Sequence, residues 1–282
     1  MPHTFFITGV STGLGRAFAT AALEAGHTVA GTLRKREQIA EFEAVAPGRA
    51  HGILLDVTDT ESIPAAIKGV EENVGSIDVL VNNAGYGVEG VFEETGLDVL
   101  RQQFEVNVFG AAAVTKEVLP YLRERRRGHI VFITSMGGLR AFPGLSAYHG
   151  TKYAVEGIAD TLRPELAPFG IHVTSIEPGG FRTDWAGRSM TRVERSITDY
   201  DELMEPIREG RLAMSGNQLG NPAGAGAALL TIVDAPNPPG HLVLGSDARR
   251  LVAAARAEFD TEFELWRDLG ESTDFPDGNT LG

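Results

Sequence analysis

Three side chains in the stretch 135–152 have the types and spacing of an acid–base site. Ser135 follows an apolar, β-branched run that predicts a buried strand over 128–134. Tyr148 and Lys152 stand four positions apart where a helical pattern begins, which places the phenol and the ammonium on one helical face. We expect the ammonium to lower the pKa of Tyr148, and Ser135 to donate a hydrogen bond to a carbonyl or alkoxide oxygen. The alternative is a chance pair on an ordinary helix, so the rest of the chain has to supply the context.

A glycine-rich turn near the start of the chain has the form of a phosphate site. A predicted strand over 4–8 runs into Gly9-Val-Ser-Thr-Gly13-Leu-Gly15 and then into a helix of small residues. Gly9 permits a tight turn, the middle of the loop lets backbone N–H groups approach a pyrophosphate, and Gly15 lets the helix pack closely on the sheet. The spacing differs from the general dinucleotide fingerprint Gly-x-Gly-x-x-Gly, so a plain glycine-rich turn is the alternative.

The charges after the second predicted strand, 27–33, bear on which nicotinamide cofactor fits. NAD sites usually carry an Asp or Glu here, which binds the ribose 2′-hydroxyl. In this chain the basic run 34–36 precedes the first acid, Glu37. Cations suit a 2′-phosphate, so the sequence favours NADP(H) over NAD, with Arg34 as the principal candidate. A solvated, charged helix start is the alternative.

Polar residues also follow the next predicted strands. The strand predicted over 53–57 ends with Asp56 and its neighbour, and a later apolar run leads into a turn-prone segment at 82–86. Ligands of open α/β sheets bind at this carboxyl edge. Asn107 lies inside a helical pattern over 97–122, where its side chain competes for backbone groups. Asn107 is therefore either a packing accident or a site residue.

The strand and helix patterns alternate to the end of the chain without repeats or linkers. The sequence therefore predicts a single dinucleotide-binding catalytic domain over 1–282. The segment 184–221 has mixed polarity and no steady period, and we predict a substrate loop there. The C-terminal extension, 251–282, begins with an amphipathic helix over 251–269 and ends in a Gly/Asp/Pro-rich tail. Methionines that either line an adaptable pocket or pack in the core are Met190, Met204 and Met214.

Composition limits the partners and the compartment. The formal net charge of −13 argues against nucleic acid, an anionic membrane or an acidic carrier protein as the main partner. Cysteine is absent, so there are no disulfides or thiolate metal sites, and no metal is predicted. The N-terminus enters a strand pattern at once, and no long apolar run follows. We expect a soluble, cytoplasmic protein that acts on a small molecule.

Taken together, the motifs resemble those of the short-chain dehydrogenase/reductase family, from residue 4 to about residue 185. The resemblance rests on Thr8-Gly9-x-x-x-Gly13-x-Gly15, Asp56-Val57, Asn82-Asn83-Ala84-Gly85, Asn107, Ser135, Tyr148-x-x-x-Lys152 and Pro178-Gly179-x-x-x-Thr183. It implies an α/β fold, a Rossmann-like doubly wound parallel sheet of about seven strands with helices on both faces, and a nicotinamide cofactor. The region around Arg34 looks similar to NADP-preferring, hydroxysteroid-dehydrogenase-like members.

The resemblance also implies roles for single residues. Tyr148 is the acid in reduction and the base in oxidation, and Lys152 holds the nicotinamide ribose. Ser135 positions the substrate oxygen, and Asn107 holds a water in a proton relay. Ser11 is a second candidate for the 2′-phosphate, after Arg34. The residues implied to contact the cofactor are Gly9, Ser11, Gly13, Leu14, Gly15, Arg34, Asp56, Val57, Asn83, Ala84, Gly85, Tyr148, Lys152, Pro178, Gly179 and Thr183.

These inferences predict an NADP(H)-dependent oxidoreductase acting on a secondary alcohol or its ketone. Two alternatives are an NADP(H)-sensing protein without turnover and a 3-ketoacyl reductase. The end of the last strand, 244–247, departs from the Asp-Gly-Gly ending of many members, and the chain continues well past it. The assembly is therefore predicted as a homodimer or a homotetramer. Side chains predicted to wall an apolar pocket are Tyr86, Phe142, Phe181, Trp185 and Met190.

Overall fold

A computed structural model describes residues 2–187 and 189–275. The tail at 276–282, part of the predicted C-terminal extension, lies outside the described residues. The strands are β1 (Thr4–Ile7), β2 (Thr28–Leu33), β3 (Ala50–Leu54), β4 (Val79–Asn82), β5 (Gly87–Glu89), β6 (Gly128–Ile133), β7 (Ile171–Pro178), β8 (Met190–Arg192) and β9 (His241–Leu244). The helices are α1 (Gly13–Glu24), α2 (Glu37–Glu43), α3 (Ile63–Asn73), α4 (Leu97–Phe104), α5 (Ala111–Arg125), α6 (Ser146–Leu166), α7 (Asp201–Met214), α8 (Pro222–Val233), α9 (Ser246–Leu265) and α10 (Arg267–Glu271).

Seven of the described strands form one parallel sheet in the order β3-β2-β1-β4-β6-β7-β9. The order reverses between β1 and β4, so the carboxyl ends of these two strands border a crevice where α/β sheets bind ligands. The predicted Rossmann-like parallel sheet with helices on both faces is confirmed. The glycine-rich turn follows β1, and the segment 82–86 follows β4, so the strand order brings these two segments together.

Both faces of the sheet are covered, which explains the near-continuous apolar strand sequences. Phe5 and Ile7 of β1 pack in a core with α1 and α8, whereas Phe6 packs in a second core with α3, α5 and α6. The alternation follows from the two-residue period of a strand. All three side chains are fully buried. The sheet therefore gives the crevice a rigid floor.

The structure corrects three of the predicted elements. The third strand ends at Leu54, so Asp56 lies beyond the strand rather than at its end. His51 and Gly52 interrupt the apolar pattern of this edge strand, which hid its true start. The helical pattern over 97–122 is divided by a π-helical turn at Glu105–Gly110. Such turns are frequently found at functional sites.

The third correction concerns the segment 184–221, which is not a structureless loop. It contains β8 and the helix α7, and Pro206 inside α7 disguised the helical pattern. β8 pairs in parallel with β5, from Gly87 opposite Met190 to Glu89 opposite Arg192. This small second sheet fixes the start of the segment beside the end of β4. The role of the segment as a substrate-binding element stays a prediction.

Helices α1 and α8 pack unusually closely because α8 carries glycine at their contact. A Cβ added to Gly226 would lie 2.7 Å from the Cβ of Ala21 and 3.0 Å from the carbonyl oxygen of Ala17. At Gly224, two residues earlier on the same helix, the nearest atom would be the Cβ of Asn221 at 3.9 Å. The two glycines therefore differ in packing while sharing one helix.

We expect Gly226→Ala to lower the free energy of unfolding by about 1–3 kcal/mol, because the added methyl forces the helices apart. Gly224→Ala is the matched control, and it should leave stability unchanged or raise it slightly through helix propensity. Urea denaturation of both variants measures the difference. Equal stability of the two would show that this helix contact is not as tight as described.

Candidate active site

The turn after β1 is shaped to let backbone groups approach a ligand. Gly9 and Gly13 have positive φ of 74° and 63°, a conformation that favours glycine. A Cβ on Gly15 would lie 2.2 Å from the Gly9 carbonyl oxygen and 2.3 Å from Asn83 Nδ2, so only glycine fits there. The turn therefore packs directly on the segment that follows β4, and it opens at the N-terminus of α1, where backbone N–H groups favour an anion.

The side chain of Asn83 is hydrogen-bonded to this turn. Its Nδ2 donates to the carbonyl oxygens of Thr8 at 2.9 Å and Gly9 at 3.0 Å. The backbone N–H groups of Asn83 and Ala84 both donate to Thr8 Oγ1 at 2.9 Å. The N–H of Gly9 donates to Thr32 Oγ1 at 2.9 Å. These contacts join the ends of β1, β2 and β4 into one unit.

Sequence reasoning gave no role to Thr8 or Thr32. The position of Thr8, immediately before Gly9 at the end of an apolar strand, was the available signal. For Thr32 there was none, because its contact with Gly9 depends on the pairing of β1 with β2.

The residues predicted to meet the adenosine half of the cofactor lie at the same edge. Arg34 is exposed directly after β2, and Ser11 is exposed in the glycine-rich turn of the neighbouring strand. Asp56 is exposed, and its Oδ1 accepts from the N–H of Thr58 at 3.0 Å and from its hydroxyl at 2.8 Å. Val57 is buried. The side chains of Arg34 and Ser11 are thus both exposed to solvent, where a phosphate can reach them.

Ser135, Tyr148 and Lys152 are brought together at the carboxyl end of β6. Ser135 Oγ accepts from the N–H of Gly137 at 2.9 Å and is in hydrogen-bond contact with the Tyr148 phenol. Lys152 Nζ lies 5.7 Å from the centre of the Tyr148 ring and donates to the carbonyl oxygen of Ile133 at 2.8 Å. Tyr148 and Lys152 are only 7% and 8% exposed. The spacing rule for helices correctly predicted that these two side chains share a face.

The expected direction of the Tyr148 pKa is wrong in this structure. Burial raises the pKa of Tyr148 to about 12, and the hydrogen bond with Ser135 opposes that rise. Burial also lowers the pKa of Lys152 to about 8, opposed by the nearby Glu156 carboxylate. The ammonium is directed at the Ile133 carbonyl, so desolvation outweighs its influence on the phenol.

His149, which sequence reasoning passed over, fixes the loop between Ser135 and Tyr148. The N–H of Phe142 donates to His149 Nε2 at 2.9 Å, so that nitrogen is an acceptor and Nδ1 carries the proton. Nδ1 then donates to the carbonyl oxygen of Gly137 at 2.7 Å. Burial lowers the pKa of His149, which keeps the ring neutral for this arrangement. Its place within the stretch 135–152, next to Tyr148, was the only sequence signal.

Asn107 sits in the π-helical turn and holds the segment after β4. Its Oδ1 accepts from the N–H of Tyr86 at 3.1 Å, and its Nδ2 donates to the Tyr86 carbonyl at 3.0 Å and to Thr151 Oγ1 at 3.0 Å. A Cβ on Gly85 would lie 3.0 Å from Asn107 Oδ1. The side chain therefore has a clear packing function, joining the 82–86 segment to α6. Its water-holding role stays a prediction.

The residues after β7 lie beside the glycine-rich turn. The Cβ of Thr183 is 3.9 Å from where a Cβ on Gly13 would stand, and Thr183 Oγ1 accepts from the N–H of Trp185 at 3.3 Å. The N–H of Gly179, next to Pro178, donates to the carbonyl oxygen of Leu244 at 2.8 Å. Of the predicted cofactor residues here, Thr183 therefore lies beside the glycine-rich turn, whereas Pro178 and Gly179 contact β9 and the start of α9. Leu14 instead packs its side chain against the core.

Apolar side chains wall the phenol. Tyr148, Leu145 and Met190 form a small cluster with Phe142 and Trp185, whose ring centre lies 5.0 Å from that of Tyr148. Phe181 packs against the core shared by α1 and α8 and is not part of this cluster, so its place as a pocket wall stays a prediction. Tyr86 is held beside the crevice through its backbone.

An apolar cleft of about 450 Å³ lies next to this cluster. Its lining shares Phe142 with the cluster but contains none of Ser135, Tyr148 and Lys152. Of the predicted methionines, Met190 packs on Tyr148, Met204 lines the cleft, and Met214 is exposed. The lining residues are Val91, Phe92, Ala141, Phe142, Pro143, Gly144, Ser146, His149, Tyr153, Tyr200, Leu203 and Met204.

Two buried carboxyl groups lie together on the inner side of α6: Glu156, one helical turn after Lys152, and Glu177 of β7. Glu156 and Glu177 are 5% and 0% exposed, and His241 Nδ1 lies 2.6 Å from Glu177 Oε1 and 3.8 Å from Glu156 Oε2. Asp160 Oδ1 is 3.1 Å from His241 Nε2. The 2.6 Å contact between His241 Nδ1 and Glu177 Oε1 is a hydrogen bond and not the spacing of two metal ligands. Two ligands of one tetrahedral metal ion stand about 3.3 Å apart. Burial and the mutual repulsion of the two carboxyls raise the pKa of Glu177 to about 7.

Comparison with known proteins agrees with this arrangement. The family described as short chain dehydrogenase matches residues 3–193. The chain belongs to this family. A crystal structure of a short-chain dehydrogenase from Streptomyces avermitilis is 41% identical, with a TM-score of 0.91 over 97% of this chain and 98% of that one. The family membership makes the protein an oxidoreductase acting on CH–OH groups.

Two further relatives bear on the cofactor and the reaction. A protein named 3-ketodihydrosphingosine reductase from Bacteroides thetaiotaomicron is 33% identical over 91% of this chain and 93% of that protein. A structure titled ElxO with NADP bound is 25% identical, with a TM-score of 0.71 over 86% of this chain and 96% of that one. Among the helices that the structure describes, none combines the length and the apolar composition needed to cross a membrane.

The buried carboxyl pair generates a prediction about stability and pH. Because the folded-state pKa of Glu177 is raised to about 7, the folded protein holds a proton that the unfolded chain releases above about pH 4.5. This group therefore lowers the free energy of unfolding as the pH rises from about 4.5 to 7. We expect the free energy of unfolding of Glu177→Gln to fall by about 1–3 kcal/mol less than that of the wild type over this pH range, because the Gln side chain does not titrate.

Urea denaturation gives the free energy of unfolding at pH 5 and at pH 7.5, and the difference between these two free energies measures the effect. The exposed Glu61→Gln variant is the control and should keep the wild-type difference. An unchanged difference in Glu177→Gln would show that this carboxyl is ionised in the folded state across the range.

Proposed function

We propose that the protein is an NADP(H)-dependent oxidoreductase that transfers a hydride between the nicotinamide and a secondary alcohol or ketone with an apolar body. The observation that carries this proposal is the convergence of Ser135, Tyr148 and Lys152 at the carboxyl edge of the sheet, where the phenol and the ammonium are both buried. The cofactor, when bound, supplies the hydride. The chain supplies binding, orientation and the proton.

Tyr148 is the acid–base residue of the proposed reaction. In reduction its phenol gives a proton to the substrate oxygen as the hydride reaches the carbonyl carbon, and in oxidation the phenolate takes that proton back. Burial raises the pKa of Tyr148 to about 12, so the phenol keeps its proton at neutral pH. Ser135 orients the substrate oxygen, and Lys152 provides positive charge beside the phenol.

The glycine-rich turn and the N-terminus of α1 are the proposed pyrophosphate site. Thr183 lies beside this turn and is proposed to meet the nicotinamide end, whereas Asp56 and Val57 meet the adenine. The exposed Arg34, together with the exposed Ser11 in the turn after the neighbouring strand β1, would bind a 2′-phosphate. The NADP-bound ElxO structure adds support for NADP over NAD.

The apolar cleft supports a ketone with an apolar body as the substrate. Its lining is dominated by aromatic and aliphatic side chains, and Phe142 connects it to the cluster around Tyr148. The relative named 3-ketodihydrosphingosine reductase supports reduction of a keto group. The net charge of −13 disfavours a substrate carried on an acidic protein, as a 3-ketoacyl reductase would require. The presence of all three site residues favours turnover over cofactor sensing alone.

We expect Tyr148→Phe to bind NADPH with wild-type affinity while turnover falls about 10²- to 10⁴-fold, because the proton donor is lost. Absorbance of NADPH with a panel of apolar ketones measures turnover, and fluorescence titration measures binding. Tyr121→Phe on α5 is the control and should retain full activity. Wild-type turnover in Tyr148→Phe would refute the assignment.

Arg34→Ala tests the cofactor preference separately. Losing a charge-assisted contact with the 2′-phosphate should raise the Kd for NADPH about 10- to 100-fold and leave that for NADH unchanged. Lys35→Ala, the next cation along the chain, is the matched control with a smaller expected effect. If both cofactors lose affinity equally, Arg34 does not read the 2′-phosphate.

A further inference from the structure

The apolar cleft beside α6 has a buried floor and an exposed rim of large apolar side chains. Val91 and Met204 are buried in the floor. Around the opening, Phe92, Leu203 and Tyr153 are 67%, 54% and 48% exposed. Large apolar side chains grouped at a concave surface mark a ligand-binding groove. A ligand with an apolar body would therefore cover side chains that are otherwise in contact with water.

Polar contacts at both ends of α7 hold this helix against the cleft. Just before its first turn, the Tyr200 hydroxyl donates to Glu93 Oε2 at 2.8 Å. In its last turn, Arg211 donates to the carbonyl oxygen of Pro143 at 2.7 Å. Tyr200 and Pro143 both line the cleft, so these contacts fix two of its walls. The cleft is thus largely formed before a ligand binds, as is usual for small-molecule sites.

The lining of the cleft offers a ligand few polar partners. Of the described residues that line it, none carries a charge at neutral pH. Both ring nitrogens of His149 already have partners in the loop before α6, and the Tyr200 hydroxyl is bound to Glu93. Ser146 and Tyr153 are exposed, so their hydroxyls can stay in contact with water. Because a buried polar group without a partner costs free energy, the cleft suits a hydrocarbon.

The α6 side of the cleft is a straight stripe of side chains. Ser146, His149 and Tyr153 are spaced at i, i+3 and i+7, which places them on one helical face. At the rise of an α-helix, this stripe is about 10 Å long. An extended hydrocarbon chain of about eight carbon atoms has the same length, since its zigzag carbon–carbon bonds are about 1.5 Å long. On the opposite side, the flexible side chain of Met204 can adapt to such a chain.

The cleft lies beside the phenol of the proposed reaction. The ring centres of His149 and Tyr148 are 5.8 Å apart, and those of His149 and Phe142 are 5.7 Å apart. Phe142 belongs both to the lining of the cleft and to the cluster around Tyr148. A substrate whose oxygen is held by Tyr148 and Ser135 can therefore direct a chain past Phe142 into the cleft.

We propose that the cleft between α6 and α7 binds an unbranched alkyl chain of the substrate, so that the substrate is a long-chain aliphatic ketone or secondary alcohol. Leu203, in the rim, is the residue that sets the preference for a long chain. The inference rests on the proposed function, since it places the carbonyl group at Tyr148. Each methylene that enters the cleft leaves water, so transition-state binding strengthens with chain length. A rigid fused-ring ketone cannot extend along the α6 stripe in this way.

A series of methyl ketones from 2-pentanone to 2-undecanone tests the alkyl chain. We expect kcat/KM with NADPH to rise about two- to fourfold for each added methylene and to level off once the chain fills the cleft. The rigid 2-decalone has the same number of carbon atoms as 2-decanone, and its kcat/KM should be at least about tenfold lower. A kcat/KM that does not depend on chain length, or a preference for 2-decalone, overturns the proposal.

Leu203→Asp tests whether the chain lies in this cleft. A carboxylate in the rim should lower kcat/KM for 2-undecanone at least about tenfold more than for 2-pentanone, because only the longer chain reaches this position. Leu212→Asp is the matched control, since Leu212 also lies on α7, is 48% exposed and does not line the cleft. It should keep the wild-type dependence on chain length, and circular dichroism checks that both variants are folded. Equal effects of the two substitutions would show that the chain binds elsewhere.

Binding measurements separate this inference from the proposed function. Calorimetry of Tyr148→Phe loaded with NADPH gives the affinity for each methyl ketone without turnover. An affinity that rises with chain length, and that loses this rise when Leu203→Asp is added, supports the alkyl subsite even if the wild type reduces none of the ketones. In that case the proposed hydride transfer fails and the subsite is retained. Turnover or affinity that is independent of chain length has the opposite meaning, because the subsite is then refuted whether or not the protein is a reductase.

Discussion

The buried ammonium of Lys152 is the constraint around which the site is arranged. Taking a charged lysine out of water is costly unless the charge is satisfied. Here Nζ donates to the carbonyl oxygen of Ile133, the last residue of β6. That hydrogen bond holds α6 against the end of β6. It thereby helps to position Tyr148, one helical turn earlier, beside Ser135. The parallel sheet thus supplies the polar atom that allows the Lys152 ammonium to be held away from solvent.

A second group of ionisable side chains lies on the inner face of α6, next to Lys152. Glu156 lies one turn beyond Lys152, and its carboxylate opposes the fall in the Lys152 pKa. Glu156 in turn faces Glu177 and His241, so two carboxyls and one imidazole share a largely buried space. Burial and the repulsion between the two neighbouring carboxyls raise the pKa of Glu177 to about 7, so this carboxyl retains a proton close to neutral pH. The negative charge next to Lys152 therefore comes from Glu156, a residue that none of the sequence motifs includes.

The features that could be predicted from the sequence are those that follow from the local periodicity of strands and helices. Apolar strand runs and the four-residue spacing of Tyr148 and Lys152 are direct consequences of backbone periodicity, and both were predictable. The pKa of Tyr148 was not, because it depends on burial by Trp185 and on the direction of the Lys152 ammonium, which are tertiary facts. The helix α7 was missed because Pro206 and its polar residues obscured the period. The contact of Thr32 with Gly9 arises only from strand pairing and leaves no sequence signal.

The C-terminal departure from the family pattern is also part of the site's support. Asp247, in the first turn of α9, accepts from the N–H of Gly180 at 2.9 Å, and its carboxylate fills the space beside Gly179. Arg140, in the loop between Ser135 and Tyr148, donates to the carbonyl oxygen of Leu251 at 3.1 Å. The start of α9 therefore holds both the loop that follows β7 and the loop between Ser135 and Tyr148. The residues just after the last strand thus take part in positioning the loop that carries Ser135 and leads to Tyr148, although they lie outside every motif of the family.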